Sequence, residues 1–462
     1  MQEIQRLCIA FGDLAWGPWL VVLILGSGLY FLALSRFLPF RYLGHSIQLL
    51  RGKYDDESSP GDITHFQALA SALSGTIGMG NIAGVAVAIH MGGPGAIFWM
   101  WATAVVGIAT KFFTCTLAIM YRGPDSEGHI QGGPMYVIRE GLGRRWRPLA
   151  VFFSGVGVIG CLPLFQTNQL VQTVRDVIFV GEGWLDPGHA FEFNVIAGLV
   201  LAAIVAVVIF GGLQRIAAVA SRLVPGMALF YVITAIYVLG SHASEVPGYL
   251  AMIVKDAFGG SAVAGGALGT VIVTGVRRGV FSNEAGIGTE SMAHGAAKTD
   301  EPVREGLVAM MGPIIDTLVI CTATALIILI SGAWKTGEGN GVTLTAQAFE
   351  ATMPGVGIYI LIIAVICFST STIFGYSYYG SKCLGYLIGA DKQHFYNYII
   401  VVSTVIAAIL SLDAMVGVVD GTFALMAIPT TTSALALSPK VMSAARKYFA
   451  ELKHMEIATE PS

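Results

Sequence analysis

The strongest constraint on this chain is an unbroken run of 48 residues, Ile63 to Thr110, that contains no Asp, Glu, Lys or Arg. A membrane-spanning helix needs about 20 apolar residues, so this run can cross a membrane twice. Within the first crossing the apolar pattern gives way to Ser74-Gly75-Thr76-Ile77-Gly78-Met79-Gly80-Asn81. Because glycine weakens a helix by about 1 kcal/mol relative to alanine, this stretch predicts a helix broken at mid-membrane depth. Non-helical backbone is tolerated there only where it is buried in protein or lines a wet cavity.

Composition indicates an all-α polytopic membrane protein. The chain is 55% hydrophobic and 12% charged, whereas soluble domains are about 25% charged. The six cysteines fall singly, so no disulfide framework or metal site is indicated. No basic patch suggests a nucleic-acid partner. The motifs H-E-x-x-H, C-x-x-C and G-x-S-x-G do not occur, and the loops are short, so the sequence predicts neither an enzyme nor a cofactor.

Apolar runs predict eleven transmembrane helices. Their predicted ranges are 14–34, 64–91, 95–121, 148–174, 193–211, 223–241, 260–290, 306–332, 355–381, 395–412 and 417–438. The first is a retained span rather than a cleaved signal, because its 21 apolar residues lack a basic leader. Gly155 and Gly157 begin a G-x-G-x-x-G pattern inside one of these runs, where small residues favour helix contact rather than nucleotide binding.

The distribution of positive charge agrees with eleven spans. With the N-terminus outside, the predicted cytoplasmic segments hold 19 of the 26 Lys and Arg residues, and the external segments hold four. This bias follows the positive-inside rule. The sequence therefore predicts a multi-pass protein of the cell membrane with a cytoplasmic C-terminus, embedded in the lipid bilayer.

The ten spans after the first divide into two halves of similar length. A single transporter domain, 1–462, is predicted to comprise an extra N-terminal helix (14–34), a first repeat (64–241), a second repeat (258–438) and a cytoplasmic tail (440–462). Five spans per half give the halves opposite orientation. Each half opens with an irregular helix, and in the second half the irregular stretch runs from Gly275 through Gly279 to Gly288. Interrupted helices at matching positions of inverted halves indicate a transporter binding site.

The chemistry of the first break follows from its helix ends. Free amides near Met79 and Gly80 suit a substrate carboxylate, and the carbonyls of Ser74 and Ile77 suit a cation. The hydroxyl run Ser369 to Thr372 also offers the oxygen ligands that a hard cation prefers. The alternative for these hydroxyls is a hydrogen bond back to the carbonyl of their own helix.

Five motifs resemble those of the alanine or glycine:cation symporters, over almost the whole chain from Trp16 to Pro429. They are Gly78-Met79-Gly80-Asn81-Ile82-Ala83-Gly84, Gly92-Gly93-Pro94-Gly95-Ala96-Ile97-Phe98-Trp99-Met100-Trp101, Gly132-Gly133-Pro134-Met135-Tyr136, Arg278-Gly279-Val280-Phe281-Ser282-Asn283-Glu284-Ala285-Gly286 and Tyr378-Tyr379-Gly380. The resemblance implies a LeuT-like inverted-repeat fold that moves small neutral amino acids with sodium.

The resemblance and the break together define a candidate site. The substrate residues are expected to be Thr76, Gly78, Met79, Gly80, Asn81, Gln166, Gly275 and Tyr376. The sodium ligands are expected to be the carbonyls of Ser74 and Ile77 and the hydroxyls of Ser371 and Thr372. The alternative for Gln166 is a polar cap at the end of its span. The alternative for the glycines and Tyr376 is helix packing.

Charges within the spans leave several interpretations open. Arg277 and Arg278 are expected to follow the second break and face the cytoplasmic cavity, with Glu284 as a partner for one of them. Asp316 is expected to pair with Lys111, and a proton-relay role for Asp316 is the rival interpretation. The predicted function is sodium-coupled uptake of alanine or glycine. The alternatives are proton-coupled transport through Asp316 and, less favoured, a channel.

Overall fold

A computed structural model describes residues 2–259, 268–335 and 339–459, and this part of the chain is almost entirely helical. The first half contains the α-helices Gln2–Ala15, Pro18–Ser35, Leu38–Arg41, Leu43–Leu50, His65–Thr76, Val85–Gly92, Gly95–Met120, Pro134–Tyr136, Arg147–Gly160, Leu164–Thr173, Ala190–Ile209, Gly212–Ser241 and Val246–Ala257. It also contains the π-helical turns Gly80–Gly84, Val137–Leu142 and Val174–Val180, and the 3₁₀ turns Arg144–Trp146 and Pro187–His189. The strands Gly123–Pro124 and Ile130–Gln131 form an antiparallel pair.

The second half has the same character. Its α-helices are Leu268–Asn283, Thr289–His294, Pro302–Ala309, Met311–Pro313, Thr322–Ser331, Val342–Thr352, Gly357–Ile388, Phe395–Ile409 and Leu412–Thr459. The remaining turns are the π-helical Ile314–Cys321 and the 3₁₀ turns Ala333–Lys335 and Ala390–Lys392.

Within the described residues, eight helical stretches are long and apolar enough to cross a membrane, or nine if one bent pair is counted. The eight are Pro18–Ser35, Gly95–Met120, Arg144–Val180, Pro187–Ile209, Gly212–Ser241, Pro302–Ser331, Gly357–Ile388 and Met415–His454. The predicted span 260–290 contains a helix of 16 residues and the first two residues of a helix of 6, and the predicted span 395–412 contains a helix of 15. Residues 260–267 lie outside the described part. The all-helical polytopic fold is confirmed, and the count of eleven stays a prediction.

Loops that the topology assigns to one side of the membrane contact one another. The Arg122 guanidinium donates to the carbonyls of Pro60 and Thr299, which joins three predicted cytoplasmic segments. At the opposite end, Tyr359, near the predicted external end of span 355–381, donates to Glu182 of a predicted external segment. These contacts agree with the predicted alternation of the spans.

The first break lies where the sequence predicts it. Helix His65–Thr76 and the helical stretch Gly80–Gly92 meet at 54° across residues 77–79. The helix begins with a capping box formed by Thr64 and Gln67, and it ends because Ile77 is extended, with φ −74° and ψ 92°. These two stretches are called here the first broken helix.

The second break lies further along the chain than predicted. Helix Leu268–Asn283 is continuous, the break occupies residues 284–288, and helix Thr289–His294 follows. Three residues of the break adopt left-handed conformations: Glu284 (φ 55°), Gly286 (87°) and Gly288 (99°). We call Leu268–Asn283 and Thr289–His294 together the second broken helix.

Gly275 therefore lies outside the second break. It lies within the continuous helix, where a Cβ would fall under 3.0 Å from both the Ala96 carbonyl oxygen and the Trp99 Cβ. Glycine here permits close packing against helix Gly95–Met120, as is common between membrane helices. The prediction that the irregular stretch begins at Gly275 is wrong.

The N-terminal helix Gln2–Ala15 is an element that the span analysis does not predict. It packs on helix Leu412–Thr459, where a Cβ on Gly12 would meet the Gly417 carbonyl at 2.9 Å. The Trp16 indole donates to the Asp420 carbonyl at 2.8 Å. The N-terminal helix is thereby fixed beside the start of the last helix.

Candidate functional site

The two breaks meet in the interior of the protein. A Cβ on Gly80 would lie 3.3 Å from the Phe281 ring and from the Ser282 Cα, immediately before the second break. The Phe281 ring also contacts the Phe165 ring, with centroids 5.2 Å apart, and the Phe423 ring, at 5.9 Å. The helices that carry Phe165 and Phe423 thus complete the wall around the point where the breaks meet.

The first break exposes unused backbone amides. The Asn81 amide donates to the Gly78 carbonyl at 3.1 Å, and the Gly78 amide donates to Asn81 Oδ1 at 2.9 Å. Among the described residues, neither a backbone carbonyl of a turn nor a side-chain oxygen accepts a hydrogen bond from the amide of Met79 or Gly80. Because the first N–H groups of a helix lack helical acceptors, these two amides remain available for an anion.

Hydroxyl oxygens lie against the other side of the first break. Helix Gly357–Ile388 packs so closely that a Cβ on Gly78 would fall under 3.0 Å from Thr372 Oγ1. The Ser371 and Thr372 hydroxyls donate to the Phe368 carbonyl, at 2.9 and 3.0 Å. The predicted alternative, bonding back to the helix, therefore occurs. It occupies the hydroxyl protons and leaves oxygen lone pairs for a cation.

The Ser74 side chain faces the same helix. A Cβ on Gly375 would lie 2.9 Å from Ser74 Oγ. The Ser371 hydroxyl also lies 3.6 Å from the Met227 sulfur, on helix Gly212–Ser241. Ser74 and Thr372 thus lie where the first broken helix packs against helix Gly357–Ile388, with Thr372 against the break.

Several buried polar atoms around the breaks have no protein partner in the described part of the chain. These are the hydroxyls of Ser71, Thr76, Thr167 and Ser369 and Oε1 of Gln166. A buried polar group without a partner costs about 1–3 kcal/mol. Two of these residues, Thr76 and Gln166, are predicted substrate residues, so their unpartnered oxygens fit a site for a polar ligand.

Asn81 and Asp316 form a network that sequence reasoning missed. Asn81 Nδ2 donates to Asp316 Oδ1 at 2.6 Å, while Ser282 and Thr317 donate to Asp316 Oδ2 at 2.8 and 2.7 Å. Both broken helices are therefore tied to the π-helical turn that carries Asp316. The predicted Asp316–Lys111 pair is wrong, because no ion pair within 4.0 Å involves Lys111 among the described residues.

Glu284 and Tyr376 connect the second break to helix Gly357–Ile388. The Tyr376 hydroxyl donates to Glu284 Oε1 at 2.8 Å, and the Thr289 hydroxyl donates to Oε2. The side chains of Glu284 and Tyr376 are buried. The prediction that Glu284 pairs with a neighbouring arginine is wrong, and Tyr376 is held at the break by this bond.

The two arginines bind a carboxylate that the sequence analysis did not single out. Arg277 Nε donates to Asp420 Oδ2 at 2.7 Å, and Arg278 Nη2 donates to the same oxygen. Arg277 also binds Asp13 of the N-terminal helix at 2.9 Å. Both arginines precede the second break, and they lie at the end of the protein that carries the N-terminal helix. The prediction that they follow the break is therefore wrong. With the N-terminus outside, as predicted, they would lie towards the external side and not the cytoplasmic cavity.

The protein is a helical membrane protein, and its two broken helices meet at free amides, hydroxyl oxygens and unpartnered polar groups. This arrangement defines an ion-coupled secondary transporter, not an enzyme. Comparison with protein families agrees with this class. The model of the sodium:alanine symporter family matches residues 1–460. The chain belongs to the sodium:alanine symporter family.

Curated relatives cover nearly the same length. The sodium/alanine symporter AgcS of Methanococcus maripaludis is 41% identical over 96% of this chain and 96% of its own. The probable sodium/glutamine symporter GlnT of Bacillus subtilis is 36% identical over 98% of this chain and 92% of its own. The putative sodium/proton-dependent alanine carrier YrbD, also of Bacillus subtilis, is 37% identical over 80% and 76%.

A solved structure shares the fold. The crystal structure of MhsT in complex with L-phenylalanine aligns with a TM-score of 0.56 at 12% identity, covering 84% of this chain and 99% of that one. At this identity the similarity concerns the fold alone. The predicted LeuT-like fold and the predicted family are confirmed.

Proposed function

We propose that this protein couples the inward movement of sodium to the uptake of a small neutral amino acid, alanine or glycine. The observation that carries this proposal is that the unused amides of Met79 and Gly80 and the hydroxyl of Thr372 flank the same break. A zwitterion and a cation can therefore bind within a few residues of each other, which is what coupling requires. The proposed topology keeps the N-terminus outside, with inverted halves 64–241 and 258–438.

The proposed substrate site binds an anion at one end and is closely packed along one side. The substrate carboxylate binds the two amides, and Thr76 and Gln166 supply further polar contacts. Phe281 and Ser282 stand close to Gly80, which leaves room for a small side chain. The identity to the alanine symporter AgcS is 41%, and the identity to the probable glutamine symporter GlnT is 36%. The close approach of Phe281 and Ser282 supports a small substrate such as alanine or glycine, and the name of the relative AgcS supports alanine.

Purified protein in proteoliposomes is expected to accumulate radiolabelled alanine when an inward sodium gradient is imposed. A membrane potential of 100 mV contributes about 2.3 kcal/mol per charge, roughly fiftyfold accumulation per sodium ion. Accumulation that follows the sodium gradient, in the presence of a protonophore, supports the proposal. Accumulation driven by a proton gradient without sodium would contradict it.

Proton coupling through Asp316 is the second candidate function. Asp316 is a buried carboxylate between both broken helices, and it contacts only hydrogen-bond donors among the described residues. The name of the relative YrbD includes proton dependence. The Asp316 variant discussed below separates this candidate from sodium coupling.

Thr372→Ala is expected to raise the sodium concentration needed for half-maximal uptake at least about tenfold, because losing one oxygen ligand costs about 1.4 kcal/mol or more. The measurement is the sodium dependence of initial alanine uptake. The matched control is Thr370→Ala on the same helix, whose hydroxyl donates to the carbonyls of Ile366 and Cys367. Equal sodium dependence of the two variants would place the cation elsewhere.

A further inference from the structure

A buried carboxylate binds two imidazoles outside the proposed site. Glu305 Oε2 accepts a hydrogen bond from His65 Nδ1, and Glu305 Oε1 accepts one from His294 Nδ1 at 2.5 Å. All three side chains are at most 2% exposed. The transport function proposed above uses none of them, and we call them the His–Glu–His cluster.

The cluster joins the same end of both broken helices. His65 is the first residue of the first broken helix, and His294 is the last residue of the second. Glu305 lies on helix Pro302–Ala309. Nearby, Arg122 donates to the carbonyls of Gly295, Ala297 and Thr299, so the segment that follows His294 is also fixed. These residues belong to the end of the protein with the predicted cytoplasmic loops.

The hydrogen bonds fix part of the protonation state. Since a carboxylate accepts and does not donate, both imidazoles carry a proton on Nδ1. If both imidazoles are neutral, the cluster keeps the negative charge of Glu305, and among the described residues no cation lies within 4.0 Å of it, so this buried charge is unfavourable. One further proton on an imidazole makes the cluster neutral overall.

The surroundings favour His65 as the acceptor of that proton. Burial disfavours a charged His65, whereas the Glu305 carboxylate and, more weakly, Asp55 favour it, with a small opposing effect from Arg304. Nε2 of His294 is buried and has no partner in the described part of the chain, so a proton there would lack an acceptor. The other charged or titratable groups around the cluster are Arg122 and Cys115 near Glu305 and Glu290 near His294.

We propose that the His–Glu–His cluster is a proton-binding site that holds the cytoplasmic ends of the two broken helices closed. When these ends separate, water solvates the Glu305 carboxylate. The negative charge is then no longer unfavourable, and the extra proton no longer stabilises the cluster. The closed state therefore binds the proton more tightly than the open state, and by reciprocity protons favour the closed state. Cytoplasmic acid then slows the release of substrate. The inference relies on the proposed transport function only for the expected effect of cytoplasmic pH on the transport rate.

The first test measures transport in right-side-out membrane vesicles at constant external pH. Lowering the internal pH from 8.0 to 6.0 is expected to slow sodium-driven alanine uptake about fivefold, since a free imidazole titrates near 6.5. Glu305→Gln, which removes the charge and keeps the shape, is expected to make uptake independent of internal pH. His129→Gln, an exposed histidine in a loop, is the control and should keep the wild-type dependence.

The second test measures the opening without transport. Spin labels at Phe66→Cys and Lys447→Cys, both exposed positions, report the distance between the first broken helix and the last helix. Cys8 and Cys367 are replaced in this background. Longer distances are expected at pH 8.0 than at pH 6.0 in the parent protein. In Glu305→Gln the distance is expected to be the same at both pH values.

The outcomes distinguish this inference from the proposed function. Distances that do not change with pH, or a folded Glu305→Gln protein with the parent's pH dependence, would overturn the proton-binding role. Vesicles without sodium-driven uptake would instead contradict the proposed function, and the spin-label distances would still decide whether the cluster acts as described.

Discussion

Gly78→Ala is expected to abolish sodium-driven alanine uptake while the protein still inserts into the membrane. The added Cβ would fall under 3.0 Å from Thr372 Oγ1, a separation that no relaxed structure tolerates. Either helix Gly357–Ile388 moves away from the first break or the Thr372 hydroxyl rotates out of place. Both changes remove the oxygen proposed to bind sodium. Initial uptake rates and size-exclusion chromatography of the purified variant measure function and folding separately.

The control for this prediction is Gly155→Ala. Gly155 also lies in a membrane helix, but a Cβ there would meet nothing within 4 Å, so uptake should remain at the wild-type rate. Gly80→Ala should have an intermediate effect, since its Cβ would stand 3.3 Å from Phe281 and Ser282. A folded Gly78→Ala protein with normal uptake would contradict the proposed cation site.

A double variant separates crowding from the loss of a ligand. Thr372→Ala removes the hydroxyl that a Cβ on Gly78 would strike, and the next contact, with Thr372 Cβ, would be an ordinary 3.4 Å. Gly78→Ala combined with Thr372→Ala should therefore regain sodium-independent binding of alanine, measured by equilibrium dialysis. It should not regain sodium-driven accumulation.

The first break was predictable from sequence because its signal is local. Glycines and polar residues interrupt a charge-free apolar run, and no long-range contact is needed to see that a helix is weakened there. The alternation of apolar runs and positive charge is likewise a sum of local preferences. The LeuT-like architecture followed from these features and from the motif resemblance, and the comparison with MhsT confirms it.

The second break was misplaced because glycine has two uses in membrane helices. Gly275 and Gly279 permit close contact with helix Gly95–Met120 and leave their own helix intact. The break itself begins at Glu284, a charged residue with positive φ. Composition does not identify such a residue as a breaking point, because its conformation is held by the bonds from Thr289 and Tyr376.

The charge partners were mostly wrong because they depend on contacts between distant segments. Asp316 is 235 residues from Asn81, and Arg278 is 142 residues from Asp420. Sequence proximity suggested Glu284 as a partner for the arginines, and the expected pairing of opposite charges suggested Lys111 for Asp316. In the folded protein Asp316 is satisfied by an amide and two hydroxyls, which a search for opposite charges overlooks.

Asp316→Asn is expected to reduce sodium-driven alanine uptake about a hundredfold. Three donors converge on the two carboxylate oxygens, from Asn81, Ser282 and Thr317. An asparagine presents an NH₂ group where one of those oxygens stands. Either Asn81 Nδ2 then faces another donor, or the Ser282 and Thr317 hydroxyls accept from the NH₂ group and their protons lose the acceptor they had. An unsatisfied buried donor costs about 1–3 kcal/mol, and each 1.36 kcal/mol is a tenfold change. Because Asn81 also holds the Gly78 amide, the shape of the first break is disturbed.

The same variant decides between sodium and proton coupling when alanine exchange is measured beside uptake. If Asp316 carried a proton in each cycle, asparagine would imitate its protonated form. Exchange of internal for external alanine would then continue while gradient-driven uptake stopped. If Asp316 positions the two broken helices, as its three hydrogen bonds indicate, exchange and uptake are lost together. Asp186→Asn, which alters a carboxylate that caps an exposed turn, controls for the chemistry of the substitution. If a folded Asp316→Asn protein still exchanges alanine but no longer accumulates it, the coupling ion is the proton and not sodium.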